Sequence, residues 1–186
     1  DIDGVFNSHR YWLTSGEDAW SEELDKSAIK VFNEILAKTD AKVVISSAWR
    51  HIEGKEETIR ILAKNGLLVD RIIDVTPDED LSDPRRHKEI MQWLEKNPHV
   101  DAWVAIDDSA DILHLEHHVH TTMLDGLLLS HMQPAVDIIE AQLAKRHSEY
   151  LSRIWASMEE GADVVDPDFS DRVDWVEAYE KNRWKR

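Results

Sequence analysis

Two aspartates flank Ile2 at the head of the chain, in the run Asp1-Ile2-Asp3-Gly4-Val5-Phe6. In an extended segment alternate side chains point the same way, so Asp1 and Asp3 share a face unless the backbone turns between them. Gly4 permits that turn, because glycine enters backbone conformations closed to other residues. Such a pair suits aspartyl-phosphate chemistry, in which one carboxylate attacks phosphorus and the other handles the leaving-group proton. An acidic turn is the plain alternative for this motif taken alone.

Three further stretches carry polar groups in related positions. Val43-Val44-Ile45 is a short apolar, β-branched run ending in Ser46-Ser47-Ala48-Trp49-Arg50, and hydroxyls at the carboxyl end of a buried strand lie where open α/β sheets bind ligands. Arg85-Arg86-His87-Lys88 opens a helix against the sense of its macrodipole, which an anionic neighbour would explain. Ala102 to Ile106 reads as another buried strand, ending in Asp107-Asp108-Ser109. Oxygen-only ligands of this kind select a hard cation such as Mg²⁺. A Ser-rich strand end, a solvated basic patch and an acidic N-cap are the respective plain alternatives.

The elements that must position these groups follow from periodicity. A helix is expected from Asp25 to Lys38 on the spacing of Ile29, Phe32, Ile35 and Leu36, and another from Lys55 to Lys64, stopped by Asn65-Gly66. Strands are expected at Arg71–Asp74 and around Val119, Thr121 and Thr122, and helices at Arg85–Lys96 and from Pro134 onward through Val136, Ile139 and Leu143. Asn7 to Glu23 shows no sustained period and reads as a loop or flap carrying Tyr11, Trp12 and Trp20. Thr76 to Pro84 reads as a polar loop. Beyond Gly161 a connector and a last helix, Arg172–Trp184, are expected. His114 and His118 have zinc-like i, i+4 spacing, but no third ligand accompanies them.

Strand-helix alternation argues for a mostly parallel, doubly wound α/β sheet with right-handed crossovers. Its strand ends would converge on one crevice. The 186 residues suit one domain with an appendage, divided here as 1–147 and 148–186. No apolar run reaches the roughly 18 residues of a membrane span. The absence of cysteine excludes disulfides and thiolate metal sites and fits a cytoplasmic setting. A net charge of -16 disfavours long-range attraction to nucleic acid or anionic membranes. A strand delivering Asp1 to a sheet edge needs about four to six apolar residues, so a segment before Asp1 is expected.

The order D-x-D-G, hydroxyl, basic helix start and paired Asp resembles the haloacid dehalogenase (HAD) superfamily of phosphotransferases over about residues 1 to 145. The runs V-V-I-S-S-A-W-R, R-R-H-K-E-I-M-Q-W-L and W-V-A-I-D-D-S look like the small HAD domains of bacterial RNA-repair proteins. The resemblance implies a HAD-like Rossmannoid fold and a phosphatase with Asp1 as nucleophile and Asp3 as general acid/base. It implies Mg²⁺ bound by Asp1, the Asp3 carbonyl and Asp107, with Asp108 supporting the ion through its waters. Ser46 matches the hydroxyl that contacts the phosphoryl group. The stabilising cation is Arg86 or Lys88, and Arg86 is preferred; Ser47, Arg50 and Lys88 are further phosphate-binding candidates. The gaps between motifs leave no room for a large cap, which implies an open crevice and a phosphate end group on a nucleic acid, nucleotide or phosphoprotein. A catalytically inactive metal-binding or interaction module is the alternative.

Overall fold

The computed structural model describes residues 1–18, 21–77 and 85–159. The chain divides into two compact units, Asp1–Ala144 and Lys145–Arg186. The first contains the sheets. Of the second, the described residues belong to the end of one helix; the expected connector and the helix at 172–184 lie outside the described residues, as do Trp20 and most of the polar loop.

The motif at the chain head is a buried turn rather than a solvated one. Val5 and Phe6 both donate to the Ile2 carbonyl, and Gly4 donates to that of Asn7, at 2.8–3.1 Å. Ile2, Val5 and Phe6 are buried in the core while Asp1 and Asp3 stay half-buried at its edge. The alternation of apolar and acidic residues thus anchors the turn and presents its carboxylates.

Helix α1, His9–Ser15, occupies the segment expected to be a loop. It has no buried residue, so it has no apolar stripe for periodicity to reveal. Its ends hold it instead: the Ser8 hydroxyl accepts from the Tyr11 N–H, and Gly16 closes the helix at φ 80°. The His9 and Arg10 amides donate to the Met123 and Leu124 carbonyls, tying α1 to a distant turn.

Helix α2, Lys26–Thr39, starts at Asp25, whose carboxylate accepts from the Ser27 and Ala28 amides, and buries Ala28, Ile29, Ile35 and Leu36. Strand β1, Val43–Ile45, leads into the short helix α3, Trp49–Ile52, and then α4, Lys55–Lys64. The Asn65-Gly66 stop forms as expected. Gly66 takes φ 91°, and the Asn65 side chain binds the Leu24 amide and the Glu22 carbonyl. Strand β2, Ile72–Val75, runs parallel to β1.

Helix α5, Arg86–Lys96, precedes strand β3, Ala105–Asp107, which pairs in parallel with β4, His118–His120. The strand expected from Ala102 is shorter because Trp103 turns its backbone to a side chain. Its N–H donates to Gln142 and its carbonyl accepts from the same amide. Helix α6, Met132–Glu159, carries Pro134 in its first turn, where a missing N–H costs little.

Among the described residues the fold is therefore mixed α/β, with small parallel sheets between helices and no large cap. The strands form two pairs, β1 with β2 and β3 with β4. Between the pairs lies a cavity of about 560 Å³, lined among others by Val44, Leu36, Trp93, Ala105 and Ile139. The Asp1 nitrogen, donating to the Ile106 carbonyl at 2.8 Å, ties the head of the chain to β3. No described helix is long and apolar enough to cross a membrane.

One contact fixes α5 on the sheet. The Trp93 indole donates to Asp74 on β2 at 2.7 Å and holds that carboxyl below its ordinary pKa. A depressed folded-state pKa contributes stability above the unfolded value, which is lost as pH falls through the folded one. Trp93→Phe should therefore destabilise the protein by about 1 kcal/mol at neutral pH, since Asp74 is only half-buried. Denaturant melts should show that difference shrinking once the pH passes below the carboxylate range.

Candidate active site

Three carboxylates meet where the chain head, β3 and the loop after β3 come together. One oxygen each from Asp1, Asp107 and Asp108 lies within 4.8 Å of the others. Asp107 ends β3 and is 1% exposed. Its Oδ1 accepts from the Ser109 N–H at 2.8 Å. Its Oδ2 is buried and has no hydrogen-bond donor; the Arg86 Nε lies 3.2 Å away as an ion pair without hydrogen-bond alignment. Burial first, and then the charge of Asp107, pushes the Asp108 carboxyl above its ordinary pKa. An under-coordinated buried carboxylate oxygen beside two more carboxylates fits a hard divalent cation, which would take oxygen donors and keep several waters.

Arg86 opens α5 and reaches this cluster. Its Nη2 donates to Asp1 Oδ2 at 3.1 Å, its Nε meets Asp107, and its Nη1 lies 3.6 Å from Glu89. The basic start of α5 thus faces anions, as the helix-dipole argument requires. A further anion caps it: Asp111 Oδ2 accepts from the His87 N–H and lies 3.3 Å from the His87 ring. Burial works to raise the Asp111 carboxyl, but hydrogen bonds from Ser109 and His87 prevail and lower it.

Asp3 points to a different set of partners. The Trp49 indole donates to Oδ2 at 2.9 Å and the Asn7 amide to Oδ1 at 2.8 Å. Its carboxylate therefore has hydrogen-bond partners of its own, while its charge still bears on Asp108.

Ser46 follows β1 directly, half-buried, and lines the cavity together with Asp1. Ser47 and Arg50 are turned into the fold. Ser47 is fully buried, with its hydroxyl facing the Trp49 amide at 3.4 Å and its carbonyl accepting from Arg50. The Arg50 guanidinium is 3% exposed and pairs with Glu89 at 2.8 Å. Both side chains serve the turn after β1, because a hydroxyl and a cation buried there need internal partners. Lys88 lies two residues beyond Arg86 on α5, half-buried. His114 and His118 do not share a helix: His118 is in β4 with its ring on the Leu115 carbonyl, and His114 packs edge-on against His87.

Four residues absent from the sequence-based set belong to this neighbourhood: Asn7, Trp49, Glu89 and Asp111. Glu89 carried a readable signal, since it sits one turn after Arg86 and adjoins the buried Ile90 on a core-facing helix. Trp49 and Asp111 act through contacts distant in sequence, for which spacing gives no sign, while Asn7 reaches Asp3 from within the same turn.

Gly4 has two reasons to be glycine. Its φ is 67°, and a Cβ there would lie 2.3 Å from Asp108 Cγ. Gly4→Ala should cost about 1–2 kcal/mol in backbone strain and displace the Asp108 carboxylate. Thermal melts should register the first effect, and calorimetric Mg²⁺ titration should show weakened binding with an unchanged circular dichroism spectrum.

Comparison with known proteins agrees with this geometry. Residues 1–132 match the model of a family described as the HAD domain in Swiss Army Knife RNA repair proteins. Neither curated proteins nor solved structures gave a match. The matched span covers the acidic head, the turn after β1, the start of α5 and the Asp107-Asp108 pair, so the whole constellation lies inside the recognised domain. On that coverage the chain belongs to the family of HAD domains of Swiss Army Knife RNA repair proteins.

Proposed function

We propose that this domain is a Mg²⁺-dependent phosphoric monoester hydrolase working through an aspartyl-phosphate. HAD membership supports phosphohydrolase chemistry. The observation that carries the finer reading is the contact of Arg86 with both Asp1 and Asp107 at the edge of the acidic triad. A carboxylate nucleophile and a phosphate repel each other, and a fixed cation between them removes much of that barrier.

The residues take the following parts. An Asp1 oxygen attacks phosphorus, the bond from phosphorus to the leaving oxygen breaks, and that oxygen takes a proton from Asp3. Water then attacks phosphorus and gives its proton to Asp3, the bond from phosphorus to the Asp1 oxygen breaks, and inorganic phosphate leaves, which restores both carboxyl groups. Arg86 offsets the charge of the phosphoryl oxygens, and Ser46 donates its hydroxyl to one of them. Asp1, the Asp3 carbonyl and Asp107 would hold Mg²⁺, with Asp108 behind its waters. When bound, the cation supplies Lewis-acid polarisation of the phosphoryl group.

The described residues include no large cap, which favours a substrate whose phosphate is presented on something bigger than a metabolite. Arg50 pairs with Glu89, and a net charge of -16 weighs against a long polynucleotide backbone. A phosphate end group of a nucleic acid, nucleotide or phosphoprotein suits the site better than extended binding.

Hydrolysis of 4-nitrophenyl phosphate is expected with Mg²⁺ and not after exhaustive EDTA treatment. Asp1→Asn should abolish turnover with the fold intact, and Asp3→Asn should chiefly slow proton transfer, whose positioned contribution is about 10²–10⁴-fold. Full activity in Asp1→Asn verified free of deamidation would exclude the covalent route, and a folded wild-type protein without turnover would favour a metal-binding module. End-phosphorylated oligonucleotides and phosphopeptides should outcompete free mononucleotides at matched concentration.

A further inference from the structure

The side chain of Asp3 is held by two groups that can only donate to it. The indole N–H of Trp49 has no acceptor capacity, and it meets Oδ2 at 2.9 Å; the Asn7 amide nitrogen meets Oδ1 at 2.8 Å. Each carboxylate oxygen therefore has one lone pair committed and keeps another for a proton in transit.

The two donors differ in how they are anchored. Asn7 belongs to the same turn as Asp3 and moves with it, since the Gly4 N–H donates to the Asn7 carbonyl. Trp49 lies 46 residues away in sequence, at the first position of α3. Its ring packs against the hydrophobic core, and its amide faces the Ser47 hydroxyl in the turn after β1. The indole N–H is thus a point fixed to the turn after β1, and Asp3 Oδ2 is registered to it. Ser46, three residues before Trp49, is the first residue after the same strand, so one turn carries both a hydroxyl for the phosphoryl group and the registration of the proton carrier.

We propose that Trp49 is the positioning residue for proton transfer by Asp3, an assignment that rests on the phosphatase reading. Transfer between heavy atoms depends steeply on their placement, and a free aspartate rotates about two side-chain bonds. The indole removes that freedom at the oxygen facing away from Asn7. In the forward step the electron pair of the breaking P–O bond stays on the leaving oxygen, which takes the Asp3 proton. A leaving group that is already a stable anion needs this proton little, and a poor leaving group needs it fully. Loss of the indole N–H should therefore be felt in proportion to leaving-group demand, which a packing defect would not produce.

The test compares 4-nitrophenyl phosphate, phenyl phosphate and an alkyl phosphate under single-turnover conditions with Mg²⁺. Two full-length variants are used: Trp49→Phe, and one in which the Trp49 indole is replaced by its benzothiophene isostere. The isostere keeps ring shape and loses only the N–H, so it stands if Trp49→Phe does not fold. The rate of phosphoryl transfer should fall about ten- to hundredfold on the phenyl and alkyl esters and less than about threefold on the nitrophenyl ester. KM and the Mg²⁺ dependence should be unchanged, and neither variant should lose more in an Asp3→Asn background. An equal loss on all three esters, no loss on any, or a loss that persists in Asp3→Asn would overturn the assignment while leaving the phosphatase reading intact. A wild-type protein that hydrolyses none of the esters would overturn both.

Discussion

Three carboxylates within 4.8 Å of one another, one of them almost wholly buried, set the terms for the rest of the structure. Two unit charges about 4 Å apart repel by about 4 kcal/mol at an effective dielectric of 20. A cluster of this kind persists only if positive charge, protons or hydrogen bonds offset that repulsion. The molecule uses all three. Arg86 pairs with Asp1 and Asp107, burial beside Asp107 raises the proton affinity of Asp108, and the Ile2 and Ser109 amides donate to Asp1 and Asp107. The same arrangement is what a divalent cation and a phosphoryl group would complete.

Charge balance then spreads outward along a chain of contacts. Arg86 lies near Glu89, and Glu89 pairs with Arg50, whose guanidinium reaches back to the turn after β1. The start of α5, the end of β1 and the end of β3 are therefore tied by one alternating network of acids and bases. Removing one member leaves a buried neighbour without its counter-charge, which is costlier than the net worth of the pair. Asp111 extends the network by capping α5 and accepting from the Ser109 hydroxyl. Helix placement and site electrostatics are in this sense one problem.

The acidic head depends equally on a turn that packs. Phe6 meets Phe32 of α2 edge-on with ring centroids 5.2 Å apart, and the Val5 carbonyl accepts from the Leu127 amide. Gly126 stands close to this junction: a Cβ there would lie 2.9 Å from the Val5 carbonyl oxygen. Two glycines far apart in sequence thus allow the head of the chain to sit against both the Asp107-Asp108 pair and the turn before α6. The Arg10 guanidinium completes the clasp through Asp25 and the Asp125 carbonyl.

Much of this was legible in the residues themselves. Apolar periodicity gave α2 and α4, β-branched runs gave the cores of β1 and β3, and Gly4, the paired aspartates and the motif order pointed to a phosphotransferase family, because local propensity and ligand chemistry are written in neighbouring residues. Tertiary structure decided the rest. Helix α1 was hidden because it has no apolar face and is held by caps and by the Met123–Leu124 backbone. Residues 102–104 left the ladder because Gln142, nearly forty positions on, satisfies Trp103 instead. Ser47 and Arg50 are phosphate candidates by sequence position, and that they are buried with partners inside the fold was set by packing alone. The company of Asp3 is likewise long-range, since Trp49 reaches it only after β1 and α3 have been packed. Sequence determines which groups a chain offers, and which of them meet is settled by where burial leaves a polar atom in need of a partner.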